Sequence, residues 1–240
     1  MNNISNFVEL KKSEKIWAIG SIHSNLKSFT SIKEFLLNNF EEDDKLIFLG
    51  NVIGLGNNSK ETLSSVIELR FNLMSKFKLK PESIIFLRGA QEEMFSKLLQ
   101  LQLAPNPTEI IDWMFEHGVN KTIKSYGFSK DEVKNIASSG TINISKWTIN
   151  LNKRVQNNPG HTQYFLNLKH AAYSQTKKIL FVNRGVDITR PLSAQNDCFW
   201  WGFQNFSTIQ EPYKTFLRIV RGYESEHQNQ LEISKNKVVC

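Results

Sequence analysis

Three short apolar runs, each closed by a glycine and each followed by a polar loop and a helix-period segment, constrain this chain most. They are KIWAIG (residues 15–20), KLIFLG (45–50) and SIIFLRG (83–89). Runs this short and this apolar read as strands buried on both faces, not as alternating strands with one wet face. Behind the first run, Leu26, Phe29, Ile32, Phe35 and Leu36 fall at helical spacing over residues 26–40. Behind the second, Leu63, Val66, Ile67, Leu69 and Leu73 do so over 61–77, and a third helix is expected over 92–101. Strand–helix–strand–helix–strand order predicts a parallel sheet, because parallel neighbours need a crossover and a helix supplies it. In open α/β sheets ligands sit outside the carboxyl ends of the strands, so chemistry is expected in the loops after the three glycines.

Residues 105–156 change character. Helix-period segments at 109–115, 120–126, 130–137 and 144–155 are punctuated by Pro105, Pro107, Gly118, Gly127 and Gly140, which predicts a helical insert. Strands are expected again at 171–174 and 179–183 around QTKK, at 216–220, and as a hairpin of 230–233 with 237–240 around SKNK. Residues 1–13 read as a polar lead-in, and 14–240 as a single domain whose length and 40% hydrophobic content suffice for one sizeable core.

Composition narrows the classes further. Cys198 and Cys240 lie far apart and form no CxxC, so no disulfide framework is expected and a reducing compartment fits. No apolar stretch approaches the roughly 20 residues of a membrane span. The opening MNNISNFVELKKSEK lacks the apolar core of a secretory signal. The expectation is a soluble cytoplasmic protein without a membrane partner. A net charge of +7 suits a phosphorylated ligand or nucleic acid, and equally a solubilising surface; the lysines are scattered, with no run of five basic residues. Phe199, Trp200, Trp201 and Phe203 form an aromatic cluster that reads as core or sheet-edge packing.

The post-strand loops read GSIHSN (20–25), GNVIGLG (50–56) and RGAQEE (88–93), followed by FVNRGV (181–186) and IVRGYES (219–225). In this order they resemble the five signature blocks of the calcineurin-like metallophosphoesterases. The branch most similar is that of the phosphoprotein phosphatases, which includes bacterial serine/threonine phosphatases and diadenosine tetraphosphatases; its blocks read GDIHGN, GDxxDRG, RGNHE, FVHAG and GHT. The resemblance covers about residues 14–225, and HGVNKTIKSYG (117–127) joins it. It implies an α/β fold: a four-layer αββα sandwich of two mixed sheets flanked by helices, with a helical insert. In active relatives it implies two divalent metals that activate a bridging water for attack on phosphorus.

At the ligand positions the chain departs from that pattern. Ser21 stands for the Asp ligand of the first block, while His23 remains. Asn51 stands for the bridging Asp, and Gly54 with Leu55 for the Asp-Arg pair after it. Ala90 replaces the Asn ligand and Gln91 the His that assists the leaving group; Glu92 is kept. Asn183 and Tyr223 replace His ligands, and Gly202, after Trp200 and Trp201, aligns with a phosphate-contacting Arg. Two divalent cations would bring about +4 with no aligned carboxylate to balance it. At about 1.4 kcal/mol per tenfold in affinity, the loss of so many ligands removes a dinuclear site. No catalytic residue, metal or cofactor is therefore expected, with His23 the one imidazole left as a candidate ligand. The turn glycines Gly20, Gly50, Gly56, Gly89, Gly185 and Gly222 are retained.

The resulting reading is a pseudo-phosphatase: a binding, scaffold or regulatory protein for a phosphorylated or nucleotide-like ligand, or for a protein partner. Arg88, Arg184 and Arg221 are the candidate anion-binding groups, because guanidinium supplies positive charge and grips phosphate or carboxylate bidentately. The alternative for them is structural pairing with Glu92, Asp187 or Glu224. Two further readings are a metal-dependent phosphoesterase with ligands relocated to Asp187, Glu92, Glu93, Glu224 and His227, and a basic nucleic-acid-binding module.

Overall fold

The computed structural model describes residues 6–11, 15–174, 176, 178–202, 206, 209 and 211–222, together with the backbone of 232–234 and 237–239. The three apolar runs form strands β2 (Ile16–Ile19), β3 (Lys45–Phe48) and β4 (Ile84–Phe86), paired in parallel in the order β2-β3-β4. Side chains alternate across each strand. Leu46, Phe48, Ile84 and Phe86 enter one apolar layer, whereas Ile47, Leu49, Ile85 and Leu87 enter another. Both faces are therefore buried, as the unbroken apolar runs require.

The first layer is roofed by α1 (Leu26–Asn39) and α2 (Ser59–Phe77), the crossovers of the parallel sheet. α1 starts where the Asn25 side chain accepts the Ser28 amide at 3.1 Å, and α2 stops at Lys78, which turns into the left-handed region. Phe29, Phe48 and Phe86 line this layer with ring centroids 6.2 and 5.0 Å apart. α3 (Ala90–Leu98) opens directly after the third run. The insert follows as α4 (Pro107–Glu116), α5 (Val119–Ser125), α6 (Lys130–Ala137) and α7 (Thr141–Gln156), and its apolar faces extend the same layer through Ile111, Val133, Trp147 and Leu151.

The second sheet contains β1 (Phe7–Glu9), β5 (Ala171–Ser174), β6 (Ile179–Val182), β7 (Arg218–Arg221), β8 (Glu232–Ser234) and β9 (Lys237–Val239), in the order β1-β5-β6-β7-β9-β8. It is mixed: β5–β6 and β8–β9 are antiparallel and the other pairs parallel. Ala172, Phe181 and Val220 of this sheet meet Ile47, Ile85 and Leu87 of the first, which makes the middle apolar layer. Its other face, Ala171, Leu180, Val182 and Ile219, is covered by Phe199 and Trp200 of α9 (Cys198–Trp201) and by Phe206, Tyr213 and Phe216. The layers thus run helices, sheet, sheet, short helix with aromatics.

Four expectations are corrected. The sheets are not both mixed: among the described residues the β2-β3-β4 sheet is wholly parallel, because each of its connections is a helical crossover. Part of the polar lead-in is β1, held at the sheet edge by parallel pairing with β5 and by Phe7 packing on Phe199 at 5.9 Å. The strand expected at 216–220 begins two residues later, after an isolated bridge between Tyr213 and Phe216. α8 (His161–Leu166) was not expected at all; six residues are too few to display helical periodicity.

Candidate functional site

The loops after β2, β3, β4, β6 and β7 converge, and backbone contacts bring them there. Gly50 has φ +88°, and a Cβ on it would lie 2.7 Å from the Gly89 nitrogen and 2.9 Å from the Asn183 Nδ2, so only glycine fits. Gly222 lets the end of β7 pass against Leu49 without a side chain between them. Across that contact the Ser21 amide donates to the Gly222 carbonyl at 2.7 Å, and the Gly222 amide donates to the Asn183 carbonyl at 2.9 Å. The Ile22 and His23 amides both donate to the Asn51 carbonyl, at 3.0 and 2.8 Å.

Asn51 is the hub. It sits at φ +55°, a conformation Asn tolerates better than most residues. Its side-chain Nδ2 donates to Ser21 Oγ at 3.2 Å and faces Asn183 Oδ1 at 3.5 Å, while its Oδ1 accepts the Gln91 amide at 3.0 Å. The Asn183 Nδ2 is in turn committed to the Leu49 carbonyl at 2.6 Å. Ser21, Asn51 and Asn183 thus form one neutral network whose lone pairs and protons are largely spent on the protein itself. His23 and Ser24 beside it also have positive φ, 48° and 61°. Burial lowers the His23 pKa to about 4, so its imidazole is neutral at pH 7.

Among the described residues the carboxylate at the centre is Glu92, fully buried on α3. It accepts the amides of Asn51 and Val52 at 2.8 Å each, Gly89 at 3.0 Å and Ile53 at 3.4 Å, and the Tyr164 hydroxyl at 3.2 Å. Burial raises its pKa, with the backbone amides of Asn51, Ile53, Val52 and Glu92 itself pulling the other way. Glu92 is therefore a clamp that joins the second and third loops, occupied on both oxygens. Gln91 closes the cluster from the insert side: its Nε2 donates to the His117 carbonyl at 2.9 Å, and its amide fills the space over Gly54. His117 stacks on Trp113 at 4.3 Å, and Trp113 meets Trp201 edge-on at 5.8 Å. Sequence reasoning missed Tyr164 and Trp113; Tyr164 lay in the unrecognised α8, and Trp113 looked like any apolar helix position.

The other expected residues separate. Ala90 opens α3 and offers no donor. Arg88 pairs with Glu93, not Glu92, at 2.6 Å and lies over the Trp200 ring at 5.7 Å. Arg221 is buried, 4.0 Å from the Phe206 ring centroid, and donates to the Arg184 carbonyl at 3.2 Å. It shares a strand face with Ile219, the outer face of the sheet, so its side chain packs away from the middle layer. Arg184 is part-buried, and its Cδ and Nε run alongside Gly202, 3.4 Å from where a Cβ would sit. Asp187 is taken by the Thr189 amide and hydroxyl at 2.9 and 2.6 Å and by Arg190 at 2.9 Å; the Thr189 hydroxyl bond leads in lowering its pKa. Tyr223, Glu224, His227, Phe203 and Cys240 lie outside the described residues.

The donor set does not fit a pair of divalent cations. Such ions need anionic oxygen or imidazole. Apart from Glu92, whose oxygens are both occupied, the described residues of the loop cluster offer the His23 imidazole, the side-chain amides of Asn51, Gln91 and Asn183 and the Ser21 hydroxyl, and among the described residues no group of three or more His, Cys, Asp or Glu is placed to hold a metal ion. No helix of the described residues is long and apolar enough to cross a membrane.

No protein-family model and no curated sequence matches the chain. Solved structures do match. A candidate diadenosine tetraphosphatase superposes with a TM-score of 0.51 at 13% identity, over 98% of this chain and 86% of its own. A cold-active protein tyrosine phosphatase gives 0.55 at 11% identity, over 98% and 70%. The cold-active protein-tyrosine phosphatase of a psychrophilic Shewanella species gives 0.53 at 12%, over 98% and 72%. The chain shares the fold of these phosphatases, here two face-to-face sheets flanked by helices.

Proposed function

We propose that this protein is a pseudo-phosphatase, a metallophosphoesterase fold without a dinuclear metal site that acts as a binding or regulatory protein for a phosphorylated or nucleotide-like ligand. The observation that carries this reading is the Asn51 network. Amide and hydroxyl groups hydrogen-bond one another across the convergence of the loops, where metal chemistry would call for carboxylates. The left-handed backbone at His23, Ser24 and Asn51 supports a retained site, because such conformations persist where the surroundings over-determine them and cluster at functional positions. Arg184 supports an anionic ligand: its side chain runs beside Gly202, the position aligned with a phosphate-contacting Arg, so a guanidinium stands near that place from the loop after β6. The buried free thiol of Cys198 accords with a cytoplasmic setting.

The test has two arms. With Mn²⁺ or Mg²⁺ present, the protein is expected to turn over an aryl phosphate no faster than its His23→Ala variant. Metal-dependent turnover abolished by His23→Ala contradicts the reading. Calorimetric titration with a nucleoside monophosphate is expected to give saturable binding that Arg184→Ala weakens at least tenfold without a change in melting temperature. Equal affinity for both proteins contradicts the role given to Arg184.

A further inference from the structure

A second site lies away from the loop cluster. Among the described residues β4 ends the order β2-β3-β4, and on its other side only Lys169 bridges its end, beside Leu87. Along its open side α2 and α8 stand off and leave a cleft of about 770 Å³, within the range of small-molecule sites. Its walls are mostly apolar: Ile67 and Phe71 from α2, Ile85 and Phe86 from β4, and the ring of Tyr164 from α8. Phe71, on this wall, is 58% exposed.

Two cations are among the residues lining this space, Arg70 and Lys169. Arg70 Nε is shut off from solvent and has no hydrogen-bond acceptor; among the described residues Arg70 makes no ion pair, and its guanidinium lies over the Phe86 ring at 5.9 Å. Burial lowers the pKa of both Arg70 and Lys169, so each carries its charge at a disadvantage. A buried donor without an acceptor is costly, and the cost is removed by an anion that brings its own oxygens. Glu82 also lines the cleft, but it is exposed and forms no ion pair with Arg70. Its charge disfavours an anion beside it and leaves the Arg70 guanidinium, with its unsatisfied Nε, as the favourable seat.

We propose that this cleft binds a small amphiphile with an apolar body and a single carboxylate head, the head on Arg70 and Lys169 and the body along Ile67, Phe71 and Ile85. The planar guanidinium is matched to a carboxylate through two parallel hydrogen bonds. The body replaces water over the apolar walls. The cleft shares Tyr164 with the loop cluster, whose Glu92 its hydroxyl reaches, but does not rest on the function proposed for that cluster.

The probe is decanoate, titrated calorimetrically into the full chain, with decanol as the uncharged body and acetate as the head without a body. Saturable one-to-one binding of decanoate is expected, with decanol and acetate each at least tenfold weaker. Arg70→Gln is expected to weaken decanoate at least tenfold while leaving decanol unchanged. Gln163→Trp, which places an indole at the exposed rim of the cleft, is expected to abolish binding. The proposal is overturned by the absence of saturable decanoate binding, by equal affinity for decanol, by an Arg70→Gln variant that binds like the parent, or by undiminished binding to folded Gln163→Trp.

Discussion

Glu92→Leu is the most informative substitution in the loop cluster. Leucine has about the right size for the site but can accept nothing. It leaves the Asn51, Val52 and Gly89 amides, bonded to the carboxylate at 2.8, 2.8 and 3.0 Å, without an acceptor in a fully buried place. It also strands the Tyr164 hydroxyl, while the Ile53 contact at 3.4 Å is too long to add much. A buried donor left unsatisfied costs about 1–3 kcal/mol, so three amides and a hydroxyl sum to about 4–12 kcal/mol. Relief from burying a carboxylate offsets part of this, and a net loss of about 3–6 kcal/mol is expected. Glu92→Gln should cost less, about 1–2 kcal/mol, because its oxygen can keep the Asn51 and Gly89 amides while its NH₂ turns toward the Tyr164 oxygen. Urea unfolding followed by circular dichroism gives both values. A Glu92→Leu protein within 1 kcal/mol of the parent, or Glu92→Gln more damaging than Glu92→Leu, would refute the clamp.

Further outcomes follow from the same geometry. Burial raises the Glu92 pKa above the ordinary 4.5, so the folded chain holds that proton where the unfolded chain has lost it. Stability from this group is present below pH 4.5 and lost as pH rises through the folded value, and the gap between parent and Glu92→Gln should narrow as pH rises; a widening gap in pH-dependent urea unfolding contradicts it. His161, buried between Ser64 at 3.0 Å and the Tyr126 hydroxyl at 2.6 Å, has its pKa lowered from 6.5 to about 4, so its contribution is complete above pH 6.5 and is lost as pH falls toward 4. His161→Gln should flatten that acid limb in the same measurement. Gly50→Ala and Gly140→Ala share a strained φ, +88° and +90°, but only the first meets neighbouring backbone. Thermal unfolding should therefore show about 1 kcal/mol lost for Gly140→Ala and at least about 2 kcal/mol more for Gly50→Ala, with equal losses ruling out the close approach. Gln91→Ala removes the bond to the His117 carbonyl, and hydrogen exchange should quicken around the α4–α5 junction while the β2-β3-β4 core stays protected.

The sheet that carries the loops was legible because its strands are buried on both faces and each ends in a glycine. Lys130–Ala137 matched its expected helix at both ends, where Ser129 accepts the Glu132 amide at 3.1 Å and supplies a local start signal. The elements that escaped notice lack such local signals. Phe7–Glu9 becomes a strand only because β5 offers it an edge, and His161–Leu166 becomes a helix because Tyr164 and Phe165 find the core. The same division runs through the site. That Ser21, Asn51 and Asn183 would converge could be read from the order of the loops, whereas their mutual hydrogen bonds depend on side-chain orientation. The arginines show the limit best. Strand alternation already separates Asn183 from Arg184 and sets Arg221 on the face of Ile219, but the packing of Arg221 on Phe206 depends on a chain segment with no recognisable pattern.

The absence of a dinuclear centre is tested most directly by elemental analysis of the full chain purified from metal-supplemented cells, with Mn²⁺ titrated into the same protein by calorimetry. No divalent metal above background and no saturable Mn²⁺ binding at the loop cluster are expected, with His23→Ala indistinguishable from the parent. Two tightly bound equivalents per chain, lost in His23→Ala, would contradict the neutral Asn51 network as the resting state of this site.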